Sequence, residues 1–195
     1  MKKFKLKQLN RIAKEIQACR LCKRNKIGLP VPGEGNPDAR IVFIGEAPGK
    51  TEARTGRPFV GRSGRLLRQM INSIGLSDTK DVYITSPVKY LPSHGTPTPQ
   101  EITHGKIHLN NQLNVINPKV IVLLGNVAVQ AVLGMKLPIL KDHGKIIEIA
   151  GRKHLITLHP AAVLRFPKYN KLFQNDFKKA KKLANKMKEA NKSLL

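Results

Sequence analysis

Three polar side chains and one aromatic ring stand in or just after short apolar runs, and their types suit proton transfer, hydrogen bonding and stacking. Glu46 follows Ile41-Val42-Phe43-Ile44 inside the segment Gly45-Glu46-Ala47-Pro48-Gly49. Ser86 follows Asp81 to Thr85, and His159 follows the run that ends at Leu158. Phe59 sits in the Gly- and Pro-rich loop after Glu46, between Gly56 and Gly64. A carboxylate can hold and polarise water, an imidazole can donate or accept near neutral pH, and a hydroxyl can do both. An exposed ring can stack on a planar ligand. A different chemistry is offered by Cys19 and Cys22, a C-x-x-C pair, and by His104 and His108, spaced H-x3-H. Thiolates and imidazoles together are zinc-type ligands, although the two pairs lie far apart in sequence and the simpler reading of the cysteines is two small buried residues.

Each apolar run that stops at Gly or Pro reads as a buried strand, so four strands are expected over 41–44, 81–85, 119–124 and 153–157. The last is read as the second arm of a hairpin with 146–149. Helical spacing predicts an amphipathic helix over 5–18, packed on the sheet, and another carrying Leu66, Leu67, Met70, Ile71 and Ile74 up to Gly75. Thr98-Pro99-Gln100-Glu101 has the form of a capping box with Pro at the first helical position, which starts a helix running to about Asn117. A short helix is expected before Gly134, and a basic one from Asn170 to about Ala190, with Leu172, Phe173, Phe177 and Met187 among its apolar positions. Residues 25–38 hold too many Gly and Pro for regular structure.

Strands alternating with helices give an α/β fold: a three-layer αβα sandwich around a central four-stranded parallel sheet, with residues 1–195 as one domain. In such sheets ligands bind outside the carboxyl ends of the strands, which delivers Glu46, Ser86 and His159 to one rim beside the Phe59 loop. A phosphate-binding loop is not expected. Gly49-Lys50-Thr51 copies the end of GxxxxGK[ST], but the first Gly would have to be residue 44, which is Ile.

Lys and Arg number 36 against 12 Asp and Glu, a net charge of +24, and a polyanion is the simplest partner for that excess. Nucleic acid is therefore expected, with Lys50, Arg54, Arg57, Arg62, Arg65 and Lys89 clustered near the same rim. No apolar run has the length of a membrane span, and the N-terminus is charged throughout, so an intracellular, cytoplasmic monomer is expected. In that reducing compartment a structural disulfide is not the default for Cys19 and Cys22.

Gly45-Glu46-Ala47-Pro48-Gly49 followed by Gly56-Arg57-Pro58-Phe59-Val60-Gly61-Arg62-Ser63-Gly64 resembles the first motif of the family 4 uracil-DNA glycosylases. The likeness continues through Asp81 to Thr85, Pro118 to Gly125 and His159-Pro160-Ala161-Ala162-Val163-Leu164-Arg165, covering residues 15 to 180. The resemblance implies excision of a flipped base from DNA. Gly45, Glu46 and Ala47 would bind the base and the attacking water, Phe59 would stack on uracil, and His159 would donate to the uracil O2. Glu46 and His159 are then the catalytic pair. Leu164 and Arg165 would form the wedge that fills the vacated space, and Arg62 and Lys89 would contact phosphates.

The family pattern is broken in two places. Family members carry four cysteines for a [4Fe-4S] cluster, and here Tyr90 and Gly105 occupy two of those positions, so no iron–sulfur cluster, and no cofactor, is expected. The family's strand-two motif has an Asn that both donates to the uracil O4 and accepts from N3–H, and here Ser86 takes its place, followed by Pro87. A hydroxyl at that reach cannot make both contacts. Two functions follow: a glycosylase acting on uracil or a related deaminated base, and a non-catalytic DNA-binding relative. The intact Glu46, Phe59 and His159 motifs favour the first.

Overall fold

A computed structural model describes residues 1–192, with side chains through 185. Two helices open the chain, α1 (Lys2–Ala18) and α2 (Arg20–Lys23). The short strands β1 (Lys26–Ile27) and β2 (Glu34–Gly35) follow, and then β3 (Ile41–Ile44), α3 (Lys50–Thr55) and α4 (Arg62–Ser73). The middle of the chain holds β4 (Val82–Thr85), β5 (Leu91–Pro92), α5 (Pro99–Ile116), β6 (Val120–Leu124) and α6 (Asn126–Leu133). It ends with α7 (Ile139–Asp142), β7 (Ile146–Ile149), β8 (Arg152–Thr157), α8 (Pro160–Arg165) and α9 (Asn170–Lys192).

The main sheet has the order β2-β4-β3-β6-β8-β7. Its four inner strands are the expected parallel ones, β7 pairs antiparallel on one edge as the expected hairpin arm, and the sheet is wider than expected because β2 pairs antiparallel on the other edge. All residues of β3, β4 and β6 are buried, as strands covered by helices on both faces must be. Val42, Ile44, Tyr83, Ile121 and Leu123 face a layer built from α1, α5 and α6. Phe43, Ile84, Val122 and Leu155 face α4, α8 and α9, where Phe43 stacks on Phe177 with centroids 5.1 Å apart. The αβα sandwich is thus present, with one change of detail: α1 lies along α5 as well as over the sheet-side core.

The capping box forms as read. Thr98 Oγ1 accepts from Glu101 N–H at 3.3 Å, and the Glu101 carboxylate accepts from Thr98 N–H at 2.8 Å. The Met187 side chain lies outside the described residues. Among the elements not expected are β2, drawn from the Gly-rich stretch before β3, and the six-residue α3 inside the loop after Glu46. Backbone bonds carry the ladder one residue past the strands, from Gly45 N–H to Thr85 O (2.9 Å) and from Gly125 N–H to Thr157 O (3.0 Å). The chain therefore leaves β3, β4 and β8 at one level, and residues 46, 86 and 159 emerge on one edge.

Candidate active site

Glu46, Phe59, Ser86 and His159 line one cavity of about 300 Å³ at that edge, together with Ala47. The structure thus brings together the four residues that the sequence reading delivers to one rim. Glu46 is half-buried, and no hydrogen bond or ion pair among the described residues engages its carboxylate. Burial raises its pKa above the ordinary carboxylate range.

His159 is fixed by the helix that follows it. It is the N-cap of α8, and its Nδ1 accepts from the Ala161 N–H at 3.2 Å. An imidazole that accepts at Nδ1 carries its proton on Nε2, so the ring offers an N–H donor. Burial pushes the His159 pKa down to about 4, which keeps this donor neutral at pH 7.

The Phe59 ring lies 6.1 Å from that of His159 and has a left-handed backbone, φ 53°. A non-glycine residue in this region is held there by its surroundings, and such strain concentrates at functional sites. Two glycines make the conformation possible. A Cβ on Gly45 would meet Phe59 Cζ at 2.4 Å, and one on Gly64 would meet the Phe59 carbonyl carbon at 2.0 Å. Two side chains with no motif to announce them hold the loop. Glu52 Oε1, on α3, accepts from the N–H groups of Val60 (2.8 Å) and Gly61 (2.7 Å). Arg68, on α4, donates to the carbonyls of Phe59 (2.8 Å) and Pro58 (2.7 Å) and pairs with Asp78 and Glu34.

Gly64→Ala tests this packing. The neighbour a methyl would strike is backbone, so relief requires moving the loop or α4. The expected loss is about 1–3 kcal/mol of stability, the usual range for overpacking, read by thermal unfolding. An unchanged Tm would mean that the contact yields freely.

Ser86 is buried and its Oγ donates to Val88 O at 2.8 Å. The single hydroxyl proton is therefore directed into the protein, and only lone pairs face the cavity. Lys89 needs correction: it is not on the rim. It is 2% exposed, and its Nζ donates to Thr85 Oγ1 (2.8 Å), Gln112 Oε1 (2.7 Å) and Pro32 O (3.1 Å). These acceptors satisfy a cation that burial pushes down to a pKa of about 7, and they remove Lys89 from the DNA-contacting set. Arg57 is partly diverted too, through a two-point pair with Glu34 at 2.9 and 3.1 Å. Lys50, Arg62, Leu164 and Arg165 instead line an open groove beside the cavity, and no described acid pairs with any of these cations.

Outside the cavity lining, where α2 packs on α5, Cys19, Cys22, His104 and His108 bring one ligand atom each to within 4.8 Å of one another, a group able to hold a metal ion. The expected absence of any cofactor thus meets an assembled ligand set. These are the four zinc-type ligands that the sequence offered as two distant pairs, and the packing of α2 on α5 is what joins them.

Among the described residues, no helix is long and apolar enough to cross a membrane. The sequence pattern of the Uracil DNA glycosylase superfamily matches residues 32–185. A type-4 uracil-DNA glycosylase of Archaeoglobus fulgidus is 41% identical over 191 residues, spanning 93% of this chain and 96% of that protein. Type-4 uracil-DNA glycosylases of Sulfurisphaera tokodaii (38% over 189 residues, 90% and 84% of the two chains) and Thermotoga maritima (39% over 182, 90% and 94%) are similar. With the rim, the cavity and the loop architecture in place, these matches show that the chain belongs to the uracil-DNA glycosylase superfamily, alongside its type-4 members.

Proposed function

We propose that this protein excises uracil, or a closely related deaminated base, from DNA by flipping the nucleotide out of the stack and hydrolysing its N-glycosidic bond. The observation that carries the reading is the convergence of Glu46, Phe59 and His159 on one cavity, with His159 held as a neutral donor. The flipped base stacks on Phe59. As the C1′–N1 bond breaks, its electron pair leaves on the base, and negative charge grows on the carbonyl oxygen that faces His159 Nε2–H. A donor already aimed at developing charge lowers the barrier without reorganising. The Glu46 carboxylate stabilises the positive character at C1′ and holds the water whose oxygen bonds to C1′, taking the proton that the water gives up. The products are the free base and an abasic site.

Lys50, Arg62 and Arg165 take the backbone phosphates, which set register without reading sequence. Leu164, 39% exposed at the end of α8, enters the space left by the base. The relatives that match along nearly the full chain are named as uracil-DNA glycosylases, so binding without catalysis is the less favoured reading.

The test is incubation with a uracil-containing oligonucleotide followed by alkali, which cuts abasic sites. Strand breaks at uracil alone are expected, and tight binding with no breaks would leave only the DNA-binding reading. The pH profile of the same assay checks the electrostatics. Glu46, raised by burial, must be ionised, whereas His159, lowered to about 4, stays neutral across the range. The single-turnover rate should therefore climb with pH through one limb above the ordinary carboxylate range and show no falling limb near pH 6.5 from an imidazole losing its proton. A rate that falls as pH rises past 6 would require a charged imidazole instead.

A further inference from the structure

The type-4 resemblance implies a four-iron cluster beside α5, and the residues present do not fit one. Only two thiols remain. Tyr90 stands at the third ligand position, and the fourth is Gly105, where even a Cβ would lie 2.3 Å from the Pro87 carbonyl oxygen. The backbone has closed over the place where a fourth cysteine would stand.

The same region presents a different ligand set. Cys19 caps α2, its Sγ accepting from the Cys22 N–H at 3.4 Å, so both thiols of the C-x-x-C turn face the same way. His104 and His108 lie one turn apart on the face of α5 that packs against α2. His104 Nε2 is 3.2 Å from Cys19 Sγ and 3.4 Å from Cys22 Sγ. His108 Nδ1 is buried with no hydrogen-bond partner among the described residues, an orphaned polar atom on one of the four clustered side chains. From these observations we propose that Cys19, Cys22, His104 and His108 bind a single zinc ion, which replaces the family's cluster as the clamp between the N-terminal segment and α5.

Bond lengths of about 2.3 Å to sulfur and about 2.0 Å to nitrogen place the ligand atoms of a zinc tetrahedron roughly 3.3 to 3.8 Å apart. The two sulfur–nitrogen distances fall at that scale. A two-iron centre with Cys₂His₂ ligation is the competing occupant, and it keeps the sulfurs on one iron and the nitrogens on the other. Here one imidazole nitrogen sits close to both sulfurs, the arrangement around one metal atom. Two thiolates with two imidazoles favour zinc among the common divalent ions, and a full set of four protein ligands marks a structural rather than a catalytic centre. None of the four lines the Glu46 cavity, so the metal holds the fold and takes no part in base excision.

The full-length wild-type protein, purified without chelator, should carry about one zinc per chain with no acid-labile sulfide and no broad visible absorption. Cobalt exchanged into the site should give the intense visible bands of a tetrahedral thiolate complex. His104→Ala should lose the zinc, His104→Cys should retain it, and chelation of the wild type should lower its Tm reversibly. Iron with sulfide in the wild-type protein would overturn the proposal in favour of a cluster. A wild-type protein that takes up neither zinc nor cobalt, with a Tm indifferent to chelator, would overturn it outright.

Discussion

His159→Ala is expected to slow single-turnover uracil excision about 10²- to 10³-fold, the usual effect of removing one preorganised donor from developing negative charge. The fold should survive. The lost cap is one bond, from Ala161 N–H to His159 Nδ1, and removing an N-cap typically costs about 1 kcal/mol. The two consequences separate the roles of this one side chain: rate reports Nε2, whereas Tm reports Nδ1. His159→Asn sharpens the distinction, because Asn restores a good cap but its amide is too short to reach where the imidazole nitrogen stood. Its stability should match the wild type while its rate stays close to that of the alanine variant. Glu46→Gln should also be strongly impaired, and the double variant should be much less than additive, since both groups stabilise the two halves of one charge separation. A His159→Ala protein keeping more than about a tenth of the wild-type rate would refute the donor role.

Much of this architecture was legible in the sequence because it depends on local pattern. Short runs of apolar and β-branched residues marked the four parallel strands, and the rule that ligands meet the carboxyl ends of such strands put Glu46, Ser86 and His159 on one rim. What escaped was fixed by contacts between distant segments. Glu52 and Arg68 bind carbonyls and N–H groups of a loop whose path depends on Gly45 and Gly64 yielding space to Phe59. Lys89 follows a strand in a basic chain and reads as a surface charge. It is interior because Gln112, on α5, and the Pro32 carbonyl, 57 residues before it, supply acceptors that no window around residue 89 contains. The Cys and His pairs have the right spacing within each pair, but 82 residues separate Cys22 from His104, and only the packing of α2 on α5 makes them one site. One edge strand was missed for a simpler reason. β2 is only two residues long, so its pairing comes from the neighbour it borders, whereas β7 is the expected first arm of the hairpin.

Ser86→Asn is expected to raise the rate of uracil excision about tenfold or more, the worth of one buried hydrogen bond to the base of roughly 1 to 3 kcal/mol. The geometry at position 86 gives the reason. The Ser86 hydroxyl spends its proton on Val88 O, which leaves it able to accept from the N3–H of a uracil but unable to donate to O4. An amide reaches further and offers one acceptor and two donors, so both edges of the base are read at once. Discrimination should sharpen with rate. A lone acceptor also suits the exocyclic amino group of cytosine, whereas an amide that donates toward O4 meets that amino group donor to donor, and a mismatched buried contact can be worth orders of magnitude in selectivity. The measurement is single-turnover excision on matched oligonucleotides carrying uracil or cytosine, for the wild type and Ser86→Asn, with His159→Ala added to each. The gain should vanish in the His159→Ala background if it reflects better placement of the base against that donor. A Ser86→Asn protein that folds and binds DNA normally, yet excises uracil no faster, would show that the pocket does not grip the base through this edge and that Ser86 belongs to a different choice of base.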